Sequence, residues 1–172
     1  KGYWNNPDES ARTLQDGWLK TGDIGYMDIH GYVRITDRKN DLFKTSGGKY
    51  IAPGPIEGAL RSIPLVSQAI VLGEGRKFVA ALLTLDVDAL RVFAGTAGIE
   101  GDAATLAQHE KVRAHVQEQV DRINRGLARF ETVKTFALLP QDFSQENDEV
   151  TPTQKLRRRV ILRRHAATID AL

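Results

Sequence analysis

The second half of the chain combines two hydrophobic periods. Apolar runs at residues 66–72, 78–85 and 133–139 are rich in aliphatic and β-branched side chains and predict three strands. A Gly-containing turn between the first two runs indicates that they pair with each other. Apolar residues at spacings of three and four then predict a long amphipathic helix that ends near Gly126 or Arg129 and covers the sheet. Its apolar positions are Val112, Val116, Val120, Ile123 and Leu127.

The first half of the chain is richer in glycine and turn residues. Residues 24–27 and 32–35 flank the turn sequence DIHG and predict a β-hairpin. Prolines precede a short predicted helix at 56–60. Near the end of the chain, residues 141–150 predict a solvated acidic loop and residues 156–172 predict a basic helix. We therefore expect an α+β fold, in which a Gly-rich β-hairpin segment precedes a small sheet covered by helices.

Composition excludes several classes of protein. The 172 residues contain 24 Lys plus Arg and 22 Asp plus Glu, so a net charge of +2 gives no general attraction to nucleic acid. The absence of cysteine excludes a disulfide scaffold and a thiol nucleophile, and favours a cytoplasmic location. No apolar run approaches the roughly 20 residues that a membrane helix needs. The four histidines lack the spacing of metal ligands, so no zinc site is expected. Because the chain begins without Met, we expect a fragment.

The first candidate site residue is Asp23, within the segment DGWLKTGDIG at residues 16–25. Its carboxylate follows a tight Thr-Gly turn and offers two acceptor oxygens, which suits the vicinal hydroxyls of a ribose. A carboxylate that merely caps the turn is the alternative.

The second candidate segment, TDRKNDLFKTSGGKYIAP at residues 36–53, is dense in charge and then in glycine. Gly47 and Gly48 permit positive φ and close approach of the backbone to a ligand. The basic side chains of this segment could face phosphates or ribose oxygens. They are Arg38, Lys39, Lys44 and Lys49. An ordinary solvated turn is the alternative.

The third candidate segment, TPTQKLRR at residues 151–158, places Lys155 between the acidic loop and the basic helix. A flexible ammonium can follow negative charge as it develops on a transferring group. The arginines beside it suit fixed ion pairs or a solvated helix surface. The alternative is simply the start of a basic helix.

Together and in this order, the three segments resemble the C-terminal motifs of the adenylate-forming superfamily, which includes acyl-CoA synthetases, nonribosomal-peptide adenylation domains and firefly luciferase. Within it the chain is most similar to long-chain fatty-acid CoA ligases, over nearly its whole length. The likeness rests on GYWNNP at 2–7, WLKTGD at 18–23, TSGGKYIAP at 45–53 and TPTQKLR at 151–157.

The resemblance implies a reaction in two halves. A fatty-acid carboxylate attacks the α-phosphate of ATP, in the presence of Mg²⁺, and the thiol of coenzyme A then displaces AMP. It implies that Asp23 binds the ribose, that Arg38 assists at the same nucleotide, and that Lys155 is catalytic, bridging the carboxylate and the α-phosphate. Gly47 and Gly48 would line the passage for the pantetheine of coenzyme A.

The resemblance also implies a missing partner. Residues 1–38 would be the end of a large N-terminal domain, whose phosphate-binding loop and acyl pocket are absent here, and residues 39–172 would form a C-terminal lid domain. This lid would rotate between the half-reactions about Asn40, where the family usually has Asp or Lys. Gln154 stands where many relatives have Gly. We expect the isolated chain to show little or no turnover.

Two other functions remain open. An acyl-carrier-protein ligase or a peptide-synthetase adenylation domain would deliver the adenylate to a protein-bound pantetheine. A basic membrane-surface module would instead use Lys155 and the arginines that follow it to bind anionic lipid. Since long-chain acyl substrates partition into bilayers, a peripheral membrane contact stays an alternative. Base stacking by this basic run is not expected, because no aromatic residue interrupts it.

Overall fold

The chain forms two compact units. The structure, a computed structural model, describes residues 2–172. The first unit ends at Leu42 and the second spans Phe43–Leu172. No helix within the described residues is long and apolar enough to cross a bilayer.

The first unit consists of one helix and two antiparallel hairpins. Its helix begins after Asn6, whose side-chain oxygen accepts a hydrogen bond from the backbone N–H of Glu9 at 3.2 Å. The second hairpin is the one that the sequence predicts. The elements are α1 (Pro7–Thr13), β1 (Leu14–Gln15), β2 (Trp18–Leu19), β3 (Asp23–Met27) and β4 (Val33–Arg38).

The first unit has almost no core of its own. Among the described residues up to Leu42, Thr13 alone is buried. Trp4 is 97% exposed and Ile29 is 95% exposed, although side chains of this kind usually supply a core. Further exposed apolar side chains are Trp18, Tyr26, Tyr32, Val33 and Ile35. Hairpin hydrogen bonds and turns, more than packing, therefore define the first unit.

The second unit is built around a three-stranded sheet. Its elements are β5 (Phe43–Lys44), β6 (Tyr50–Ile51), α2 (Pro53–Leu60), β7 (Val66–Leu72), β8 (Val79–Leu85), α3 (Val87–Ala97), α4 (Ala103–Gln108), α5 (Glu110–Asn124), β9 (Val133–Leu139), α6 (Arg158–Arg164) and α7 (Ala166–Asp170). The strand order is β7-β8-β9, with β8 antiparallel to β7 and parallel to β9. This arrangement confirms the α+β prediction and its three long strands.

The central strand β8 is buried along its whole length because apolar groups cover both faces of the sheet. Side chains alternate between the faces of a strand. Leu83 accordingly packs in one cluster with Val116 of α5, whereas Leu82 packs in a second cluster with Phe143 and Ile161. The prediction that the long helix covers the sheet is confirmed.

The sequence-based boundaries are wrong at the ends of two predicted helices. Helix α5 ends at Asn124, before the predicted end, and the Asn124 side chain there accepts a hydrogen bond from the N–H of Val133 and donates one to its C=O, both at 2.9 Å. The predicted terminal helix at 156–172 is two helices, α6 and α7, separated at His165. The ring of His165 bonds the buried carboxylate of Glu149 at this break.

The acidic segment at 141–150 is not the fully solvated loop that its charge predicts. Phe143, Glu149 and Val150 are buried. Asp142 accepts hydrogen bonds from the hydroxyls of Ser67 at 2.9 Å and Thr84 at 2.6 Å. The loop is thus tied to the sheet by both apolar and polar contacts.

Truncating a side chain in the central strand tests this description of the core. We expect Leu83→Ala to lower the free energy of unfolding by about 2 to 5 kcal/mol, since Leu83 is fully buried and its loss leaves a cavity. Val92→Ala on α3 is the matched control; at 72% exposure it should change stability by less than about 0.5 kcal/mol. Urea denaturation of the chain measures both, and equal losses would contradict the assignment of the core.

Candidate functional site

Asp23 and Arg38 are cross-strand neighbours. Asp23 opens β3, Arg38 ends β4, and the two are paired in the register of the hairpin. The Nε of Arg38 lies 3.1 Å from Oδ1 of Asp23. The backbone N–H of Asp23 donates to the Thr21 hydroxyl at 3.1 Å, which fixes the carboxylate after the predicted turn. The hairpin therefore brings the two predicted nucleotide ligands into direct contact.

Asn40 lies in a turn directly after β4. The backbone N–H of Asp41 donates to the C=O of Arg38 at 3.0 Å, and the N–H of Lys39 donates to the C=O of Gly22 at 2.8 Å. Leu42, two residues after Asn40, is the last residue of the first unit. The predicted hinge residue is thus an exposed turn residue next to the division between the units.

Gly47 and Gly48 form the tip of a short hairpin between β5 and β6. The backbone N–H of Thr45 donates to the C=O of Lys49 at 3.0 Å, and that of Gly48 donates to the C=O of Thr45 at 2.9 Å. Ser46 N–H donates to the C=O of Arg76 at 2.9 Å, which fixes the tip against the β7–β8 turn. Both glycines are exposed at the end of this supported loop.

The two glycines differ in what the fold requires of them. Gly48 has φ +79°, a conformation that side chains rarely adopt, so the turn itself needs glycine there. Gly47 has no positive φ, and a Cβ added to it would meet only Thr45 Oγ1 at 3.9 Å. The fold therefore requires glycine at position 48 but not at position 47.

Lys155 lies on a tight turn between the acidic loop and α6. Val150 and Leu156 form an isolated antiparallel bridge across the turn. Inside the bridge, the N–H of Thr151 donates to the C=O of Lys155 at 2.8 Å, and the N–H of Lys155 donates to the Thr151 hydroxyl at 3.0 Å. Gln154 has φ +61°, the left-handed conformation for which glycine is better suited. The side chain of Lys155 is exposed at the tip of this well-bonded turn.

The arginines after Lys155 are largely committed to ion pairs. Arg157 contacts Asp148, and Arg158 contacts Glu57 of α2. Arg164 lies with its Nε 3.5 Å from Oε1 of Glu149. The prediction of fixed ion pairs is therefore confirmed for these three arginines, which leaves a smaller basic surface than the sequence indicates.

Sequence reasoning missed Glu57 and Glu149, the buried carboxylates that contact Arg158 and Arg164 of α6. Glu57 also accepts a hydrogen bond from the backbone N–H of Val71 at 2.8 Å. Glu57 interrupts an otherwise apolar helix, which is the one sequence signal that could have indicated it. Glu149 is not distinguishable by residue type from the solvated acids around it.

The candidate residues are divided between the units. Asp23, Arg38 and Asn40 belong to the first, whereas Gly47, Gly48 and Lys155 belong to the second. Within residues 2–172 no cluster of His, Cys, Asp or Glu is arranged to hold a metal ion.

Residues 40–172 match the protein family described as the AMP-binding enzyme C-terminal domain. Long-chain-fatty-acid–CoA ligase FadD15 of Mycobacterium tuberculosis is 38% identical over 175 residues, which is 99% of this chain and 29% of that protein. Human long-chain-fatty-acid–CoA ligase 1 is 38% identical over 177 residues, which is 100% of this chain and 25% of the human protein. The chain thus spans less than a third of the length of these relatives.

Solved structures share the fold. The A domain of carboxylic acid reductase from Segniliparus rugosus, in complex with AMP and a co-purified carboxylic acid, matches with a TM-score of 0.80 and 24% identity, over 99% of this chain and 26% of that one. A fatty acyl CoA synthetase of Mycobacterium tuberculosis matches with a TM-score of 0.54 and 25% identity, over 98% of this chain and 28% of that one.

The contrast between the two glycines is testable by stability alone. We expect Gly48→Ala to lower the free energy of unfolding by roughly 1 to 2 kcal/mol, since alanine is strained in the left-handed region. Gly47→Ala should change it by less than about 0.5 kcal/mol, because the added methyl makes only an ordinary contact with Thr45 Oγ1 at 3.9 Å. Urea denaturation of the two variants makes the comparison, and a larger loss at Gly47 would show that the fold itself requires this glycine.

Proposed function

The chain belongs to the family of AMP-binding enzyme C-terminal domains, and on this premise we propose that it is the C-terminal part of an ATP-dependent long-chain fatty-acid CoA ligase. The complete enzyme would activate a fatty acid as its acyl-adenylate and transfer the acyl group to coenzyme A. The 38% identity to long-chain ligases across 99% of the chain supports this substrate class.

The observation that carries the proposal is the presentation of Lys155. Its side chain is exposed, and within residues 2–172 it has no carboxylate partner, although the loop before it at 141–150 carries four acidic residues. A positive charge that is held at its backbone and left unpaired can stabilise charge that develops between a carboxylate and the α-phosphate of ATP. In this role Lys155 is the catalytic residue of adenylation.

Asp23 and Arg38 are suited to the nucleotide. A carboxylate with two acceptor oxygens can receive hydrogen bonds from both ribose hydroxyls, and the guanidinium of Arg38, 3.1 Å away, holds it in position. We propose that ATP binds here in the complete enzyme. Mg²⁺ would accompany its phosphates, and we assign this chain no ligand to that ion.

Gly47 is suited to close approach by coenzyme A. Because the fold does not require glycine at this position, its lack of a side chain is better explained by a ligand that passes near the backbone. We propose that the pantetheine arm passes this hairpin tip in the second half-reaction, and that Asn40 is the hinge about which the lid turns between the halves.

The apolar surface of the first unit supports a missing N-terminal domain. Side chains such as Trp4 and Ile29 are almost fully exposed, which is costly unless another part of the protein covers them. We propose that residues 1–38 complete a larger domain that supplies the acyl pocket, and that residues 39–172 form the lid. The isolated chain should then be inactive. A cytoplasmic location is part of this proposal.

The alternatives have less support. The carboxylic acid reductase domains share the fold at under 25% identity, which leaves a carrier-protein acceptor to be tested by experiment. The ion pairs of Arg157, Arg158 and Arg164 disfavour a basic membrane-surface module, because they reduce the charge left for anionic lipid.

Activity of the full-length protein that contains this chain tests the proposal. We expect AMP release that depends on ATP and coenzyme A, and that is greatest with long-chain fatty acids in a series beginning at acetate. Lys155→Ala should lower the rate by on the order of a hundred- to a thousandfold, the usual effect of losing one electrostatic stabiliser of a transition state.

Lys134→Ala is the matched control, since Lys134 is an exposed lysine on β9 outside all three candidate segments. Its rate should equal that of the wild type. Full activity in Lys155→Ala would show that Lys155 has no part in the mechanism. Activity only with a carrier protein would show that the acceptor is that protein and not coenzyme A.

A further inference from the structure

Glu149 is the most deeply buried acidic residue of the second unit, at 2% exposure. It directly precedes the Val150–Leu156 bridge that closes the Lys155 turn. Burying an ionised carboxylate is costly unless partners compensate for the water that it loses. The partners of Glu149 therefore indicate what the buried carboxyl group holds in place.

The carboxylate of Glu149 receives contacts from two parts of the unit. His165 Nε2 lies 2.9 Å from Oε1, and Arg164 Nε lies 3.5 Å from the same oxygen. The backbone N–H of Ser144 donates to Oε2 at 3.3 Å. The His165 ring also packs edge-on against Phe143, with centroids 5.7 Å apart. One carboxylate thus joins the start of the acidic loop to the junction of α6 and α7.

The backbone of Glu149 fixes the turn itself. Its N–H donates to the C=O of Ser144 at 2.9 Å, and its C=O accepts from the N–H of Arg157 at 2.7 Å. Arg157 is two residues beyond Lys155, so this bond closes the turn at its base. The side chain of Glu149 anchors that base to the helices, while its main chain joins the two ends of the turn.

We propose that Glu149 is a positioning residue for Lys155: its buried carboxylate, held by His165 and Arg164, fixes the base of the turn from which Lys155 reaches the reacting groups. The inference rests on the proposed role of Lys155. Lysine has a long flexible side chain, so the position of its backbone must come from the turn. A misplacement of about 1 Å in a catalytic group can lower a rate on the order of a hundredfold.

The two half-reactions of the full-length protein provide the test. Adenylation is measured as fatty-acid-dependent exchange of pyrophosphate into ATP, and thiol transfer as release of AMP from supplied acyl-adenylate and coenzyme A. We expect Glu149→Gln to lower the adenylation rate on the order of ten- to a hundredfold and to leave thiol transfer unchanged. In the Lys155→Ala background, Glu149→Gln should lower the adenylation rate little further. Without the ammonium of Lys155, the position of the turn no longer affects the rate.

Asp142→Asn is the matched control. It removes a carboxylate from the same acidic loop, but one bonded to Ser67 and Thr84 of the sheet. Both half-reactions should be unchanged in this variant. If Glu149→Gln does not fold, as seen by thermal melting, His165→Gln removes one partner from the carboxylate at a less buried position and should lower adenylation alone, by severalfold.

The outcomes separate the two proposals. If Lys155→Ala slows adenylation and folded Glu149→Gln does not, Glu149 has no positioning role while the proposed function stands. An equal loss of both half-reactions in Glu149→Gln, or additive losses in the double variant, would also overturn the inference. If Lys155→Ala has no effect on adenylation, the proposed function fails first.

Discussion

Strand β7 lies at the edge of the sheet, and the arrangement of the second unit depends on how its outward-facing peptide groups are hydrogen-bonded. The peptide groups of Val71 do not face β8, so they need partners from elsewhere. Glu57 of α2 accepts from the Val71 N–H at 2.8 Å, and Arg158 of α6 donates to the Val71 C=O at 2.6 Å. Glu57 and Arg158 also pair with each other. The helix after the Gly47 hairpin and the helix after the Lys155 turn therefore meet at one residue of the sheet.

The two units are stabilised by different kinds of contact. The second covers both faces of β8 with apolar clusters. The first relies on hairpin registry and exposes large side chains such as Trp4 and Trp18. The contrast supports the proposal that the second unit is a lid with a core of its own and that the first unit completes a larger domain. The proposed nucleotide ligands and the proposed catalytic lysine accordingly belong to different units.

Local sequence pattern was sufficient to predict the strands. Runs of β-branched and aliphatic residues predicted β7 and β9 with the bounds seen in the structure, because strand periodicity is a property of neighbouring residues. The break at His165 and the burial of Glu149 could not be predicted in this way. Both arise from one tertiary contact between residues 16 positions apart, and the residue types around them equally suit a solvated helix and loop. Likewise, the need for glycine at position 48 but not at 47 depends on φ, which the dipeptide alone does not reveal.

In the proposed function Lys155 meets ATP and the fatty acid, and the accessibility of its side chain in solution tests this most directly. In the full-length protein, the rate at which an amine-modifying reagent labels Lys155 can be measured by mass spectrometry, with exposed Lys134 as the internal reference. We expect ATP and a long-chain fatty acid together to slow the labelling of Lys155 and to leave the labelling of Lys134 unchanged. Equal labelling of Lys155 with and without these substrates would contradict it.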